Sequence, residues 1–155
     1  MEYKSKNVED TFTLATKLAQ IIPYGSIILL NGDLGAGKTT FVQGFGKALG
    51  IKTPITSPTF TILKKYAIDA NHELVHVDAY RLENSVFMEL EEEITPNNIV
   101  FIEWSNFLLN QELLHEFFAI DIHYLSKNQR KFVFRAQGEK YQKILNQVIE
   151  CINCI

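Results

Sequence analysis

Gly32-Asp33-Leu34-Gly35-Ala36-Gly37-Lys38-Thr39-Thr40 contains the pattern G-x-x-x-x-G-K-T. An apolar run at residues 27–30 precedes it, and apolar residues at helical spacing follow over residues 41–49. A glycine loop between a buried strand and a helix is the context of a P-loop, whose backbone amides and helix start face phosphate oxygens. This context favours a phosphate-binding loop over a chance glycine turn.

The last residues of the pattern carry its chemistry. The Lys38 ammonium is placed to reach the β- and γ-phosphates of a nucleotide, and the Thr39 hydroxyl is placed to bind Mg²⁺. Seven of the chain's eight glycines lie between Gly25 and Gly50. Backbone freedom is therefore concentrated at one site, as a working loop requires.

The composition is that of an ordinary globular protein, with 155 residues of which 46% are hydrophobic and 21% charged. We expect one domain spanning residues 1–155. The net charge is −3 and there are only three arginines, which disfavours tight direct binding of nucleic acid. Since no apolar run reaches membrane-spanning length and no signal core follows residues 1–6, we expect a cytoplasmic location without membrane contact.

Hydrophobic periodicity and turn residues predict the other elements. Asn7 offers a helix N-cap with Asp10 three residues on, and residues 23–25 have the turn chemistry that ends this helix. An antiparallel hairpin of residues 59–66 and 74–78 is expected beside the P-loop strand. The remaining predicted elements are an edge strand at 2–5, parallel strands at 26–30 and 99–102, a weak helix at 83–93, a second hairpin at 117–124 and 130–136, and a closing helix from 141 to 152.

The two cysteines, Cys151 and Cys154, form C-x-x-C near the end of the sequence. This pattern can be a redox pair or half of a zinc site. Here no second ligand pair with metal spacing follows, and the motif does not open a helix after a strand. We interpret both as apolar residues of a last helical turn or a frayed tail.

Two acids end apolar strands, Asp78 and Glu103. Ligands of open α/β sheets lie outside the carboxyl ends of the strands, and a hydrolytic P-loop site needs a metal partner and a group that orients water. Glu103 is the better match to the Walker B pattern of four apolar residues and then an acid. Either acid could serve Mg²⁺ at Thr39 or polarise the attacking water, and the sequence does not assign the two roles. The alternative for each is an N-cap or a surface salt bridge.

Other polar and aromatic residues lie near these acids. We interpret His76 as an ordinary strand residue that hydrogen-bonds locally and not as a ligand. Arg81 either neutralises phosphate charge or pairs with nearby acids. Trp104, the only tryptophan, packs on a substrate or partner or fills the rim of the core.

Four segments, in order and spacing, resemble the bacterial TsaE family, the small ATPase of tRNA threonylcarbamoyladenosine biosynthesis. They are Gly32–Thr40, Ser57-Pro58-Thr59-Phe60, His76-Val77-Asp78-Ala79-Tyr80-Arg81 and Glu103-Trp104. The resemblance extends from the first helix to the hairpin before Arg130. Ala79 and Ser105 depart from the leucine and proline usual in the family, and neither change removes a functional group.

The resemblance implies an α/β, P-loop NTPase-like three-layer fold with a mixed parallel and antiparallel sheet flanked by helices. It implies ATP and Mg²⁺ as cofactors, with Thr39 and Glu103 as metal ligands and with Asp78, Glu103 and Lys38 as catalytic residues. The residues implied to bind ATP are Gly32, Gly35, Ala36, Gly37, Lys38, Thr39 and Thr40, with Gln129, Arg130 and the start of the first helix around Val8 beside the adenine. Residues implied in switching, activity or partner contact are Ser57, Thr59, Tyr80, Arg81 and Trp104.

The family's role is accessory, since its members do not transfer the threonylcarbamoyl group themselves. They join the TsaB–TsaD pair, and their ATP hydrolysis supports repeated turnover. The acidic net charge is consistent with tRNA being held by these partners.

Two other classes compete with an accessory ATPase. One is a small-molecule kinase, but a kinase usually has a basic lid over the phosphates, and no helical cluster of arginines occurs here. The other is a GTP-dependent switch protein, but guanine recognition usually uses N-K-x-D after an apolar strand, and that pattern is absent from the sequence.

Overall fold

The computed structural model describes residues 1–33, 35–58, 62–79, 84–103 and 114–155, and the side chains of all of these except residues 84–87. Within these residues the chain forms seven strands and four helices. The strands are β1 (Glu2–Ser5), β2 (Ile27–Asn31), β3 (Leu63–Ala67), β4 (Glu73–Asp78), β5 (Asn98–Glu103), β6 (Phe117–Tyr124) and β7 (Arg130–Gln137). The helices are α1 (Val8–Ile21), α2 (Lys38–Ala48), α3 (Asn84–Glu93) and α4 (Glu139–Asn153).

The strands form one mixed sheet in the order β1-β7-β6-β2-β5-β4-β3. The four strands β6, β2, β5 and β4 are parallel. β7 and β1 on one side and β3 on the other pair antiparallel to their neighbours. The predicted mixed sheet, the parallel pair β2–β5 and both antiparallel hairpins are confirmed. The first hairpin strand begins at Leu63, and residues 59–61 of the predicted strand lie outside the described residues.

The prediction that the first hairpin lies beside the P-loop strand is wrong. β4 pairs with β5, so β5 separates the β3–β4 hairpin from β2. Every residue of β5 is buried, as expected of a strand covered on both faces. A continuous apolar run predicts such a central strand but does not say which strands lie next to it.

Helices cover both faces of the sheet, which gives three layers. On one face α1, α2 and α4 pack on the sheet through a core that includes Leu14, Leu18, Phe41, Phe45, Phe101, Phe118, Tyr141 and Val148. The smaller core of the other face includes Leu90 of α3 with Leu29, Val75, Val77, Val100 and Ile102. No helix in the described ranges is long and apolar enough to cross a membrane.

Local hydrogen bonds fix the elements that hold the site. The Asn7 side chain accepts from the Asp10 amide at 2.8 Å, so the predicted N-cap of α1 is confirmed. The Tyr141 hydroxyl of α4 accepts from the Ile27 amide at 2.9 Å, which secures the start of β2. Burial raises the pKa of Tyr141 further above its ordinary value. Cys151 lies in the last turns of α4 and Cys154 directly after it, as expected.

Candidate active site

The glycine motif lies between β2 and α2, as the sequence predicts. β2 ends at Asn31 and α2 begins at Lys38. Gly35 and Gly37 have φ angles of +80° and +106°, a backbone region in which a side chain is strained. The loop thus has the strand–loop–helix geometry of a P-loop.

Gly32 allows the start of this loop to lie against β6. A Cβ atom at Gly32 would be 2.7 Å from the Ile122 carbonyl oxygen. Just before it, Asn31 Nδ2 donates to Asp121 Oδ1 at 2.9 Å, and Arg135 Nε donates to Asp121 Oδ2 at 2.8 Å. The loop therefore leaves the sheet from a point that β6 and β7 hold in place.

Lys38 is buried and its side chain folds back toward the loop. Nζ donates to the Gly32 carbonyl and lies 3.5 Å from the Asp33 carbonyl oxygen and 3.9 Å from Glu103 Oε1. Burial lowers the pKa of Lys38, and the Glu103, Asp33 and Asp78 carboxylates act against that shift. The ammonium is therefore held where several oxygens from the loop and the strand ends converge.

Arg130, at the start of β7, also donates hydrogen bonds to the loop. Its Nε donates to the Ala36 carbonyl at 2.9 Å and its Nη2 to the Gly35 carbonyl at 3.4 Å. The same guanidinium donates to the Ser126 carbonyl at 2.7 Å and lies over the Tyr124 ring. Arg130 thus binds the carbonyls of Gly35 and Ala36, and Lys38 binds the carbonyl of Gly32 at the start of the loop.

A cavity lies beside the loop, between α1 and the β6–β7 turn. Its lining consists of Asn7, Val8, Thr11, Ala36, Gly37, Thr40, Lys127, Asn128, Arg130 and Phe132. The structure therefore brings Val8 and Arg130 together next to the glycine loop. Gln129 contributes its carbonyl as an acceptor for Arg130, and its neighbours in the turn line the cavity.

The two candidate acids lie side by side at the carboxyl ends of adjacent parallel strands. Asp78 of β4 is the register partner of Glu103 of β5. Both are buried, with 3% and 5% of their surface exposed. The alternative that either is a surface salt bridge is therefore wrong.

His76 contacts Glu103 directly, which the sequence interpretation missed. The ring is fully buried on β4, and its Nε2 lies 2.5 Å from Glu103 Oε2. A signal was present in the sequence, because residues i and i+2 of a strand share a face and His76 precedes Asp78 by two positions. The partner of His76 on β5 depends on strand register, which the sequence does not show.

The structure describes three of the other predicted site residues, and four lie outside the described ranges. Thr39 and Thr40 lie in the first turn of α2 and are half-buried. Ser57 is exposed in the loop after α2. Thr59, Tyr80, Arg81 and Trp104 lie outside the described residues.

A three-layer α/β fold whose central parallel strand leads through a glycine loop into a helix defines a P-loop-like protein. The family model for "Threonylcarbamoyl adenosine biosynthesis protein TsaE" matches residues 5–132. The chain belongs to the TsaE family.

Relatives and a solved structure match most of the chain. A "tRNA threonylcarbamoyladenosine biosynthesis protein TsaE" from Bacillus subtilis is 35% identical over 149 residues, which are 96% of this chain and 93% of the relative. A protein of the same name from Aquifex aeolicus is 37% identical over 125 residues, covering 79% of this chain and 86% of the relative. The crystal structure of Bacillus subtilis YdiB superposes with a TM-score of 0.77 at 32% identity, covering 97% of this chain and 94% of that one.

Proposed function

We propose that this protein binds ATP and hydrolyses it with Mg²⁺, as an accessory ATPase of tRNA threonylcarbamoyladenosine modification. It acts in the cytoplasm on the TsaB–TsaD pair. The relatives from Bacillus subtilis and Aquifex aeolicus are named for this biosynthesis. The observation that carries the proposal is a P-loop whose lysine lies 3.9 Å from a buried acid on the neighbouring strand.

The loop and the adjacent cavity together match the parts of ATP. Phosphate oxygens bind to the amides of residues 35–40 and to Lys38, whose contacts with the Gly32 and Asp33 carbonyls they replace. The cavity between Val8 and Arg130 takes the adenine and ribose. This division explains why Arg130 lies both at the loop and at the cavity wall.

The donor set fits Mg²⁺, which takes hard oxygen ligands from one or two carboxylates, hydroxyls and phosphates. Thr39 in the first turn of α2 and Glu103 at the end of β5 would hold it. When bound, the ion neutralises phosphate charge. Asp78, next to Glu103 and equally buried, orients the attacking water and stabilises its developing positive charge.

Partner contact falls to segments that are close in sequence to the site residues. Tyr80 and Arg81 follow Asp78, and Trp104 follows Glu103. Ser57 and Thr59 precede β3. A net charge of −3 favours tRNA binding by TsaB and TsaD over direct binding by this chain. Groups from the partners would then complete the catalytic site.

The test is steady-state ATP hydrolysis by the protein alone and with TsaB and TsaD. We expect hydrolysis to rise with the pair and to fall about 100-fold or more in Lys38→Ala, since a charged phosphate-binding group is lost. Glu103→Ala should keep ATP binding and lose Mg²⁺-dependent hydrolysis. The matched control is Lys47→Ala, because Lys47 is an exposed lysine of the same helix.

The outcomes separate the competing classes. Hydrolysis that is unaffected by the pair, with no association, would contradict the accessory role. Preference for GTP would indicate a switch protein, and phosphate transfer to a small acceptor would indicate a kinase. Normal hydrolysis by Glu103→Ala would show that the metal assignment is wrong.

A further inference from the structure

We propose that His76 is a positioning residue that aims the Glu103 carboxylate at the P-loop. The inference rests on the proposed function, in which Glu103 is a metal ligand. His76 itself touches neither nucleotide nor metal. It acts through the side chain beside it.

The two residues face each other across adjacent parallel strands. His76 aligns with Phe101 in register, two positions before the aligned pair Asp78 and Glu103. Since side chains alternate along a strand, His76, Asp78 and Glu103 share the face of the sheet on which α2 packs. The contact between the ring and the carboxylate therefore lies on the face of the sheet that α2 covers, within reach of the Lys38 side chain.

The two oxygens of Glu103 have different neighbours. Oε2 lies 2.5 Å from His76 Nε2, and Oε1 lies 3.9 Å from Lys38 Nζ. A carboxylate only accepts, so Nε2 donates in this hydrogen bond. By holding Oε2, the ring directs Oε1 toward the loop and limits rotation about the side-chain torsions of Glu103.

A role in folding does not account for a histidine at this position. The ring is fully buried, and within the described part of the chain its Nδ1 has no hydrogen-bond partner. An unpartnered buried polar atom destabilises a fold, and an apolar residue of similar size would avoid that cost. What a histidine provides here is the hydrogen bond to Glu103, and carboxylates that bind metals are commonly held by such a partner.

Three substitutions separate the hydrogen bond from the volume of the ring. His76→Leu fills the space without a donor. His76→Gln places an amide donor near the position of Nε2, whereas His76→Asn places it near Nδ1, out of reach of Glu103. Gln and Asn are thus matched in polarity and differ in whether the contact can form.

The measurement is the affinity of Mn²⁺, used as a probe for Mg²⁺, for the complex with a non-hydrolysable ATP analogue. Analogue affinity in EDTA is measured beside it. We expect His76→Leu and His76→Asn to weaken Mn²⁺ binding about 10- to 100-fold, the usual effect of removing such a partner. His76→Gln should restore most of the affinity, and analogue binding in EDTA should survive in all three.

Equal Mn²⁺ affinity in wild type and His76→Leu would overturn the inference. So would a loss of analogue binding in EDTA by His76→Gln and His76→Leu alike, because the ring would then support the fold alone. Glu103→Gln tests separately whether Glu103 is a metal ligand at all. If Glu103→Gln binds Mn²⁺ as wild type does, the proposed metal role of Glu103 is wrong, whatever the His76 variants show.

Discussion

Lys38 and Arg130 each donate to carbonyl oxygens of the P-loop, Lys38 to Gly32 and Arg130 to Gly35 and Ala36. The Arg130 contacts hold Gly35 and Ala36 before any ligand is bound, whereas phosphate would replace the Lys38 contacts. An ordered loop loses less conformational entropy on binding, so more of the contact energy appears as affinity. The motif predicts the lysine, but Arg130 is 94 positions away from Ala36, and its contact follows from the fold.

Asp121 extends this support to the strand that leads into the loop. Burial alone would raise the pKa of Asp121, but hydrogen bonds from Arg135 and Asn31 outweigh it and hold the pKa below its ordinary value of 3.8. Between the folded and unfolded pKa values the unfolded chain binds more protons, so stability rises with pH in that range. The contribution of Asp121 is therefore present above pH 3.8 and is lost as the pH falls through the lower folded value.

We predict that Asp121→Asn destabilises the protein by about 1–2 kcal/mol near neutral pH. The difference from wild type should shrink below about pH 4, as the wild-type carboxyl takes up its proton. Thermal unfolding from pH 2.5 to 7 measures both effects. Glu150→Gln is the control, because Glu150 is an exposed acid on α4 and should leave the profile unchanged. A stability difference between wild type and Asp121→Asn that stays constant over this pH range would contradict the stabilising role of the Asp121 carboxylate.

The sequence predicts those site residues whose signal lies in the order of consecutive residues. Lys38 and Thr39 follow from the motif, and Asp78 and Glu103 from their position after apolar runs. The contacts of His76 with Glu103 and of Asn31 with Asp121 join different strands. Their registers are set by packing of whole strands, which residue spacing along one segment does not encode.

At the level of elements, the close approach of α1 and α2 sets the position of the P-loop helix. A Cβ atom at Gly44 of α2 would lie 2.6 Å from Phe12 Cδ1, 3.1 Å from Ala15 Cβ and 3.3 Å from Phe12 Cα. Ala15 Cβ and Phe12 Cα are fixed to the backbone of α1, so they move only when the whole helix moves. The absence of a side chain at Gly44 is thus a packing requirement.

We predict that Gly44→Ala lowers the free energy of unfolding by about 1–2 kcal/mol. Overpacking costs about 1–3 kcal/mol, and the higher helix propensity of alanine offsets up to about 1 kcal/mol. Chemical denaturation measures the change. Gly46→Ala is the matched control in the same helix, since its nearest contact is the terminal methyl of Ile55, which can rotate away. If Gly46→Ala is the more destabilising variant, the explanation from helix packing fails.

The bounds of the second hairpin are predicted closely from the sequence, whereas β3, predicted over residues 59–66, is observed over Leu63–Ala67. The predicted bounds of β6 agree with the structure, and those of β7 differ by one residue. Alternation, a clear turn and strong strand formers give these bounds locally. Strand order is different, because β2 and β5 are covered on both faces and apolar runs carry no information about neighbours. For this reason the sequence places the first hairpin beside β2, whereas β5 lies between them.

At the level of the whole molecule, one cavity joins parts of the chain that are distant in sequence. Its walls include Val8 from α1, Gly37 from the loop and Lys127 from the β6–β7 turn. Only the folded chain brings these segments together, so a nucleotide that uses this cavity binds the native state and not the unfolded one. Such a ligand stabilises the entire fold through mass action.

We predict one cooperative thermal transition, as expected of a single domain, that a non-hydrolysable ATP analogue with Mg²⁺ shifts upward. At 100 times its Kd the analogue stabilises the protein by about 2.7 kcal/mol. For a chain of this length the shift in Tm is roughly 5–10 °C. Lys38→Ala should lose the shift and Lys47→Ala should keep it, and differential scanning calorimetry measures both.

The pattern of shifts tests the site and the domain prediction separately. Two transitions, of which the analogue moves only one, would contradict a single domain while leaving the site intact. An equal shift in wild type and Lys38→Ala would place the nucleotide away from the P-loop. A Tm shift that requires Lys38 but is the same with and without Mg²⁺ would support the phosphate site. It would contradict the assignment of Thr39 and Glu103 as metal ligands.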